Sequence, residues 1–337
     1  MCFVNKRKKV LVTGGAGYIG SHTVVKLYQS GYMPLIIDNL SNSTKKNLIG
    51  VNKILNTEIP FYKLDCTNDN EMHDFFNKHS DIYACIHFAA LKSISESFQK
   101  PEKYFKNNIL STEVLLSCLE RNFHKNLIFS SSCTVYGQPK NVPVNEDSPL
   151  NYPQSPYAET KQKCELLVKN STCNSISLRY FNPIGTHDSF LIGDCSTTEV
   201  YNLVSVIAEV AVGIKENLII NGDDYSTDDG TCIRDYLHVI DLANAHVKAL
   251  DYLFLNAGSH VFNVGTGVGL SVFDIINNFE KVNNKKIKYL IGPRRKGDID
   301  KYYCNVDRIK NKLDWVPNRT IDDALKSAYI YKKMNIC

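Results

Sequence analysis

Tyr157 and Lys161 stand four residues apart in Ser155-Pro-Tyr-Ala-Glu-Thr-Lys161, so a helix carries both on one face. A free phenol ionises at about pH 10, which makes tyrosine a poor base near neutrality. A neighbouring ammonium shifts the balance toward phenolate. Such a phenolate can take the proton from an alcohol as hydride leaves the same carbon. Ser132 ends the run Ser130-Ser-Ser132 behind the apolar residues 127–129. That places a hydroxyl at the carboxyl end of a strand, where ligands bind in open α/β sheets. Taken alone, Tyr-x-x-x-Lys reads as an exposed helix pair, so the chemistry needs a second motif beside it.

The second motif is Val10-Leu-Val-Thr-Gly-Gly-Ala-Gly-Tyr-Ile-Gly20. Gly15, Gly17 and Gly20 satisfy Gly-x-Gly-x-x-Gly, and Gly14, Gly17 and Gly20 give Gly-x-x-Gly-x-x-Gly. The glycines permit a tight turn and close approach of a pyrophosphate, and the helix N-terminus supplies oriented N–H groups. Asp38 ends the next apolar run eighteen residues after Gly20. A carboxylate there accepts from a ribose hydroxyl and repels a 2′-phosphate, which favours NAD over NADP. A Walker loop is excluded, because Ser21 stands where lysine is required. With NAD beside it, Tyr157 gains a nicotinamide cation as well as Lys161.

These groups need a scaffold, and the apolar periodicity provides one. Residues 9–12, 35–37, 61–64, 83–88 and 127–129 read as strands; 19–30, a segment ending near 55, 72–78 and 104–121 read as helices. Strands alternating with helices predict a Rossmann-type doubly wound parallel sheet. The pattern changes after Asn182. A loop-rich stretch covers 183–198, and 223–231 is a polar turn region. Residues 239–254 and 261–264 again read as helix and strand and are expected to rejoin the first sheet. Residues 218–220, 287–290 and the helix 321–334 are expected to build a smaller mixed α/β domain. The division is therefore interleaved: 1–182 plus about 236–266 for the cofactor, and about 183–235 plus 267–337 for the substrate.

Composition narrows the class. The 337 residues carry 39 Lys and Arg against 35 Asp and Glu, a net +4, with 43% hydrophobic residues. That excludes a disordered chain and a strongly basic nucleic-acid binder. Eleven cysteines occur, an odd number, with no Cys-x-x-Cys pair. Scattered thiols argue against a disulfide framework and against a structural metal. Basic residues at the start lack an apolar h-region, and the longest apolar stretch, 203–214, contains Glu209. The expectation is a reduced, cytoplasmic protein with no membrane association, in which the glycosylation-type motifs at Asn42, Asn170 and Asn318 go unused.

Several blocks in one order carry a resemblance. They are Val12 to His22, Ile37 to Ser43, His87-Phe-Ala-Ala-Leu-Lys92, Phe129 to Gly137 and Ser155 to Lys161. Arg179-Tyr-Phe-Asn-Pro-Ile-Gly185, Asp229 to Val239 and Arg294-Arg-Lys-Gly-Asp298 continue the series. Over nearly the whole chain the sequence resembles the extended short-chain dehydrogenase/reductase family, and within it the 4-epimerases of UDP-hexoses. The resemblance implies NAD held by Gly14, Gly17, Tyr18, Ile19, Asp38, Asn39, Asn42 and Ser43. It implies Asp65 and Cys66 at the adenine, and Phe88, Lys92 and Asn108 along the pyrophosphate and nicotinamide. Lys161 would hold the nicotinamide ribose, with Phe181 beside the ring. Tyr157 is implied as acid/base and Ser132 as its partner on the sugar oxygen. Lys92, Tyr180, Asn182, Asn202, Leu203, Asn221, Arg234, Arg295, Asp298 and Tyr302 would face the sugar nucleotide. The implied reaction is interconversion of UDP-glucose and UDP-galactose through a 4-keto sugar, as in Leloir galactose metabolism.

Some positions depart from the family pattern. Leu110 and Ser111 stand where the family more often has Asn-x-x-Gly-Thr, which bears on helix packing and not on Asn108, and Val200 to Ser205 alters the uracil-side loop. Asn221 stands where an aromatic residue often packs. Tyr302 is bulky where size varies, which implies a sugar pocket too tight for 2-acetamido sugars. A nucleotide-sugar 4,6-dehydratase is the alternative within the family, but Ser132 is followed by Cys133 and Thr134 and not by an acid pair. A non-catalytic NAD-binding module would be expected to lack Tyr157 or Lys161. The resemblance also implies a homodimer through helices near 104–119 and 157–168, with Leu115, Leu116, Leu119, Leu166 and Leu167 facing either the core or a partner.

Overall fold

A computed structural model describes residues 7–122, 125–196, 202–295 and 297–335. Chain order begins with β1 (Lys9–Thr13), α1 (Tyr18–Gln29), β2 (Met33–Ile37), α2 (Lys45–Leu55), β3 (Phe61–Tyr62), α3 (Asp69–Lys78) and β4 (Ile82–His87). Then come α4 (Ile94–Gln99), α5 (Pro101–Tyr104), a π-turn (Phe105–Ile109), α6 (Leu110–Arg121), β5 (Asn126–Ser132), α7 (Pro156–Asn170) and β6 (Asn174–Tyr180). With β10 (Ser259–Val264), these strands form one seven-stranded sheet in the order β10-β6-β5-β4-β1-β2-β3. Every pairing in it is parallel.

Each central strand is buried on both faces. In β1, Val10 and Val12 enter the core on one side and Leu11 the core on the other. A strand covered on both faces reads as an unbroken apolar run, and each such side chain contributes about 1.5–3 kcal/mol by burial. From β1 the chain runs to β2 and β3 on one side, and to β4, β5 and β6 on the other. This reversal opens a crevice beyond the carboxyl ends of β1 and β4.

The remaining elements are β7 (Asn182–Ile184), α8 (Leu203–Ala211), β8 (Leu218–Asn221), β9 (Ile233–His238) and α9 (Val239–Leu255), followed after β10 by β11 (Gly269–Ser271) and α10 (Val272–Asn283). The chain ends with β12 (Tyr289–Gly292), β13 (Lys301–Tyr302), α11 (Asp307–Leu313) and α12 (Ile321–Met334). Of these, β7, α8, β8 and β9 border the crevice, while α9 and α11 pack on the large sheet. Strand β9 pairs with β7, β11 and β13, while β8 pairs with β12. A separate apolar core joins α8, α10 and α12 to this side. Capping boxes fix the starts of α10 at Ser271 and Asp274 and of α12 at Thr320 and Asp323.

Three readings need correction. The helix expected over 104–121 is interrupted by the π-turn, because Asn108 turns inward to bond Leu91 and Thr160. The strand expected at 61–64 pairs only through Phe61 and Tyr62. The strand expected at 287–290 begins at Tyr289, since the Ile287 N–H is used by Glu280 and its side chain fills the α10 core. Residues 197–201, including the departures at Val200 and Tyr201, lie outside the described residues, as do Cys2 and Cys337. Leu115, Leu116 and Leu119 are buried in the sheet core and Leu167 packs against it; Leu166 is exposed. Nine described cysteines are free thiols. Among the described residues no helix is long and apolar enough to cross a membrane.

Candidate active site

A cavity of about 770 Å³ follows the crevice and continues beneath β8 and β9. Every site residue singled out in the sequence lines it, except Asn108 and Tyr302. At one end is the β1–α1 turn. Gly14 has φ +70°, and a Cβ there would lie 2.8 Å from the Ala89 nitrogen. A Cβ on Gly20 would lie 2.3 Å from the Gly14 carbonyl, so helix and strand pack this closely only with glycine. Gly17 caps α1 without a side-chain hydrogen bond, which leaves the first-turn N–H groups for an anion.

Asp38 follows β2. Its carboxylate accepts from the Ala16 N–H at 3.1 Å, the Leu40 N–H at 2.9 Å and the Ser43 hydroxyl at 3.0 Å. Burial raises its pKa, and these three bonds oppose that rise. Asp65 accepts from the Asn39 amide at 2.9 Å and from Thr67. Burial works against the Asp65 charge, but the hydrogen bonds prevail and hold its pKa below the ordinary value. The buried Cys66 thiol beside it is pushed well up and is inert. This end therefore presents a bare helix terminus, a fixed carboxylate and a polar slot. A dinucleotide's pyrophosphate, ribose and base match those three features in order.

Helix α7 supplies the reactive pair. Ser155 caps it by accepting from the Ala158 N–H, and Pro156 occupies its first turn, so Tyr157 and Lys161 emerge side by side into the cavity. The Lys161 ammonium donates to the Ser130 carbonyl at 2.7 Å and lies over the Phe129 ring. Burial lowers its pKa to about 8. Tyr157 differs from the expectation. Burial pushes its pKa well up, nearby Tyr180 adds to the rise, and the Ser132 hydroxyl only partly opposes it. Burial therefore keeps Tyr157 as a phenol in the protein alone, while the Lys161 ammonium is bonded to a backbone carbonyl. Ser132 Oγ accepts from the Thr134 hydroxyl at 3.0 Å and its N–H at 3.3 Å, which leaves the serine proton to be donated into the cavity. The Tyr180 hydroxyl bonds to Ser130.

Behind these groups is a buried ion pair. Arg179 donates to Glu165 at 2.9 and 2.7 Å, and Ser131 donates to the same carboxylate. Glu165 lies one turn beyond Lys161, so the pair ties α7 to β5 and β6. At the opposite end of the cavity, Arg234 donates to the Ile299 carbonyl at 2.6 Å and the Ile233 carbonyl at 2.9 Å. Arg234 and Arg295 reach the same Asp298 oxygen at 3.4 and 2.7 Å. Two guanidinium forks held this way suit a diphosphate. Asn202 caps α8, its side chain accepting from Val204 and donating to Pro183, and Asn182 donates to Asp235.

Asn108 and Tyr302 are placed differently from the expectation. Asn108 is buried, and its amide is used by both backbone groups of Leu91 and by the Thr160 hydroxyl, so it supports the wall from behind. Tyr302 is also buried, donates to the Cys133 carbonyl and packs on Phe181. Any influence of Tyr302 on sugar range passes through those two neighbours. Asp194, Thr134 and Glu165 were missed in the sequence. Glu165 continues the Tyr157, Lys161 spacing by four and could have been found; Asp194 has no local motif.

Fold and site together define a short-chain dehydrogenase/reductase of the extended type. Residues 11–328 match the family described as GDP-mannose 4,6 dehydratase. The chain is 41% identical over 340 residues to UDP-glucose 4-epimerase of Drosophila melanogaster, covering 97% of each. It is 41% identical over 332 residues to the Bacillus subtilis (strain 168) enzyme of that name, again covering 97% of each. It superposes with TM-score 0.93 and 39% identity on Bifidobacterium longum UDP-glucose 4-epimerase in complex with NAD+ and UDP, covering 97% of this chain and 98% of that one. The chain belongs to the UDP-glucose 4-epimerase family.

Proposed function

We propose that the protein is an NAD-dependent isomerase that interconverts UDP-glucose and UDP-galactose. The observation that carries the reading is one continuous cavity with the glycine turn and Asp38 at one end, Arg234 and Arg295 at the other, and Tyr157, Ser132 and Lys161 between them. Gly14, Gly17, Tyr18, Ile19, Asp38, Asn39, Asn42, Ser43, Asp65, Cys66, Phe88, Lys92, Lys161 and Phe181 form the cofactor wall. Bound NAD supplies a hydride acceptor and donor for C4 of the hexose, and its cation favours the Tyr157 phenolate that burial disfavours.

The side chains then have separable tasks. Tyr157 takes the proton from the 4-oxygen and later returns it. Ser132, with its own oxygen occupied by Thr134, donates to that 4-oxygen and fixes its position. Lys161 orients the nicotinamide ribose from its anchor on Ser130. Arg234 and Arg295 hold the diphosphate, so the 4-keto hexose turns about a fixed anchor and presents its opposite face. Tyr180, Asn182, Asn202, Leu203, Asn221 and Asp298 complete the sugar-nucleotide side. The dehydratase reading is disfavoured because no carboxylate follows Ser132.

The chain divides by task at about 182, 235 and 266, with the segment 236–266 supplying β10 to the large sheet. We place the enzyme in the cytoplasm as a homodimer, with exposed Leu166 of α7 at the contact. Purified protein incubated with UDP-galactose and no added NAD should yield UDP-glucose on chromatography. No conversion, or a 4-keto-6-deoxy product, would overturn the assignment.

A further inference from the structure

We infer that Asp194 is a positioning residue that holds Lys92 across the cofactor cleft and slows release of the dinucleotide. This rests on the NAD-binding reading above. After β7 the chain forms a strap, residues 185–196, that passes over the glycine turn. Its near end is fixed, because the Gly185 carbonyl accepts from the Tyr18 hydroxyl at 2.5 Å and Thr186 donates its N–H to the Ser327 hydroxyl and its own hydroxyl to the Ser327 carbonyl on α12, both at 3.1 Å. Its far end is fixed by Asn47 of α2. This fully buried amide donates to the Gly193 carbonyl at 3.2 Å, accepts from the Gly193 N–H at 3.2 Å, and donates to the Ala16 carbonyl of the glycine turn at 3.2 Å. Ile192 between them is wholly buried in the main core.

Asp194 extends from this fixed frame into the cavity. Its Oδ1 accepts from the Ser196 hydroxyl at 2.8 Å and N–H at 3.4 Å and lies 3.9 Å from the Lys92 ammonium. Burial disfavours its charge, but Lys92 and the Ser196 bonds more than compensate, so the carboxylate is held in its ionised form. Lys92 is different. Its side chain is 51% exposed, and it comes from the loop after β4 on the other bank. A half-exposed lysine has many rotamers to lose when it grips a phosphate. A fixed carboxylate at the cleft restricts those rotamers beforehand and lowers the cost of ordering on binding. The frame argues for retention: both ends of the strap are hydrogen-bonded to helices, and the ion pair joins the strap to the loop after β4 at the cavity wall.

The test compares the wild-type protein with Asp194→Asn, Asp194→Glu, Lys92→Gln and the Asp194→Asn/Lys92→Gln double variant. Each is loaded with labelled NAD, and exchange against excess unlabelled NAD is followed. Asp194→Asn should exchange roughly threefold to tenfold faster. Asp194→Glu should return most of the retention. In the Lys92→Gln background the asparagine substitution should add little, since its effect runs through Lys92. For Asp194→Asn and Asp194→Glu the KM for UDP-galactose should not follow the exchange rate, which separates this role from general loosening of the fold. Exchange by Asp194→Asn at or below the wild-type rate, or equal acceleration with and without Lys92, overturns the inference. A wild-type protein that retains no NAD overturns the reading beneath it.

Discussion

At the glycine-turn end of the cavity, the glycine turn and the Asp38 carboxylate come from one stretch of chain between Gly14 and Ser43. Backbone N–H groups and a carboxylate with three hydrogen bonds do the work. At the arginine end, the groups are gathered from Asn202, Asn221, Arg234, Arg295 and Asp298, and they are side chains from separate elements, two of them on long stems. The first end is rigid by local geometry, because a single added Cβ at Gly14 or Gly20 collides with backbone. The second is rigid only because Asp298 and two carbonyls hold the guanidinium groups. The comparison teaches that cofactor and substrate affinity should be separable by mutation, with Tyr157 lying between the two ends.

The largest effect tests that middle position. Tyr157→Phe should lower UDP-galactose turnover by about a thousandfold, because it removes the only proposed proton carrier at the 4-oxygen. Cofactor content, read by absorbance after denaturation, should stay at the wild-type level. Near-normal turnover would remove Tyr157 from the mechanism. Next, Arg234→Ala should raise the KM for UDP-galactose by about thirtyfold, or about 2 kcal/mol, with NAD content again unchanged. Simultaneous loss of NAD would show that the two ends are one unit.

Acid should destabilise the fold through its buried histidines. His22 and His87 near the glycine turn have pKa values lowered to about 3 by burial, and His246 beside Phe88 and His238 on β9 to about 4. Each is neutral in the fold but takes a proton in the unfolded chain below about pH 6.5. Stability is therefore intact above that pH and declines as pH falls toward the folded values, by up to about 1.4 kcal/mol per histidine per pH unit. Thermal unfolding should show Tm dropping between pH 6.5 and 4.5, and a flat profile over that window would refute the account. The smallest effect concerns Asn221, which is exposed at the cavity edge. Asn221→Phe should lower the KM for UDP-galactose by about twofold to threefold by adding an apolar face for the base. A rise in KM would show that Asn221 makes a polar contact worth keeping.

The glycine turn, Asp38 and the α7 pair are legible in the amino-acid order because each depends on spacing within one element or one turn. Residues 239–254 and 261–264 are also legible as helix and strand, and β10 does pair with β6. The interrupted helix at 105–109 is not, because the inward turn of Asn108 is set by the loop at Leu91, a partner distant in sequence. Nor is the burial of Tyr302 behind Cys133 and Phe181, since alignment to a family position carries no depth.

By itself the sequence determined the parallel sheet, the dinucleotide turn and the Tyr157, Lys161 pair on one helix face, because 3.6-residue and two-residue periodicities and short glycine spacings are local properties. Only the tertiary structure decided the state of the Tyr157 phenol, the proposed proton carrier. Lys161 is held by the Ser130 carbonyl and Tyr157 is desolvated, so the phenol stays protonated in the protein alone. It also decided that Asp194 meets Lys92, since that contact joins loops far apart in the chain through a strap whose course is set by Asn47 and Ser327. Local spacing can name a chemical group, but its charge depends on burial and partners, which exist only once the chain has folded.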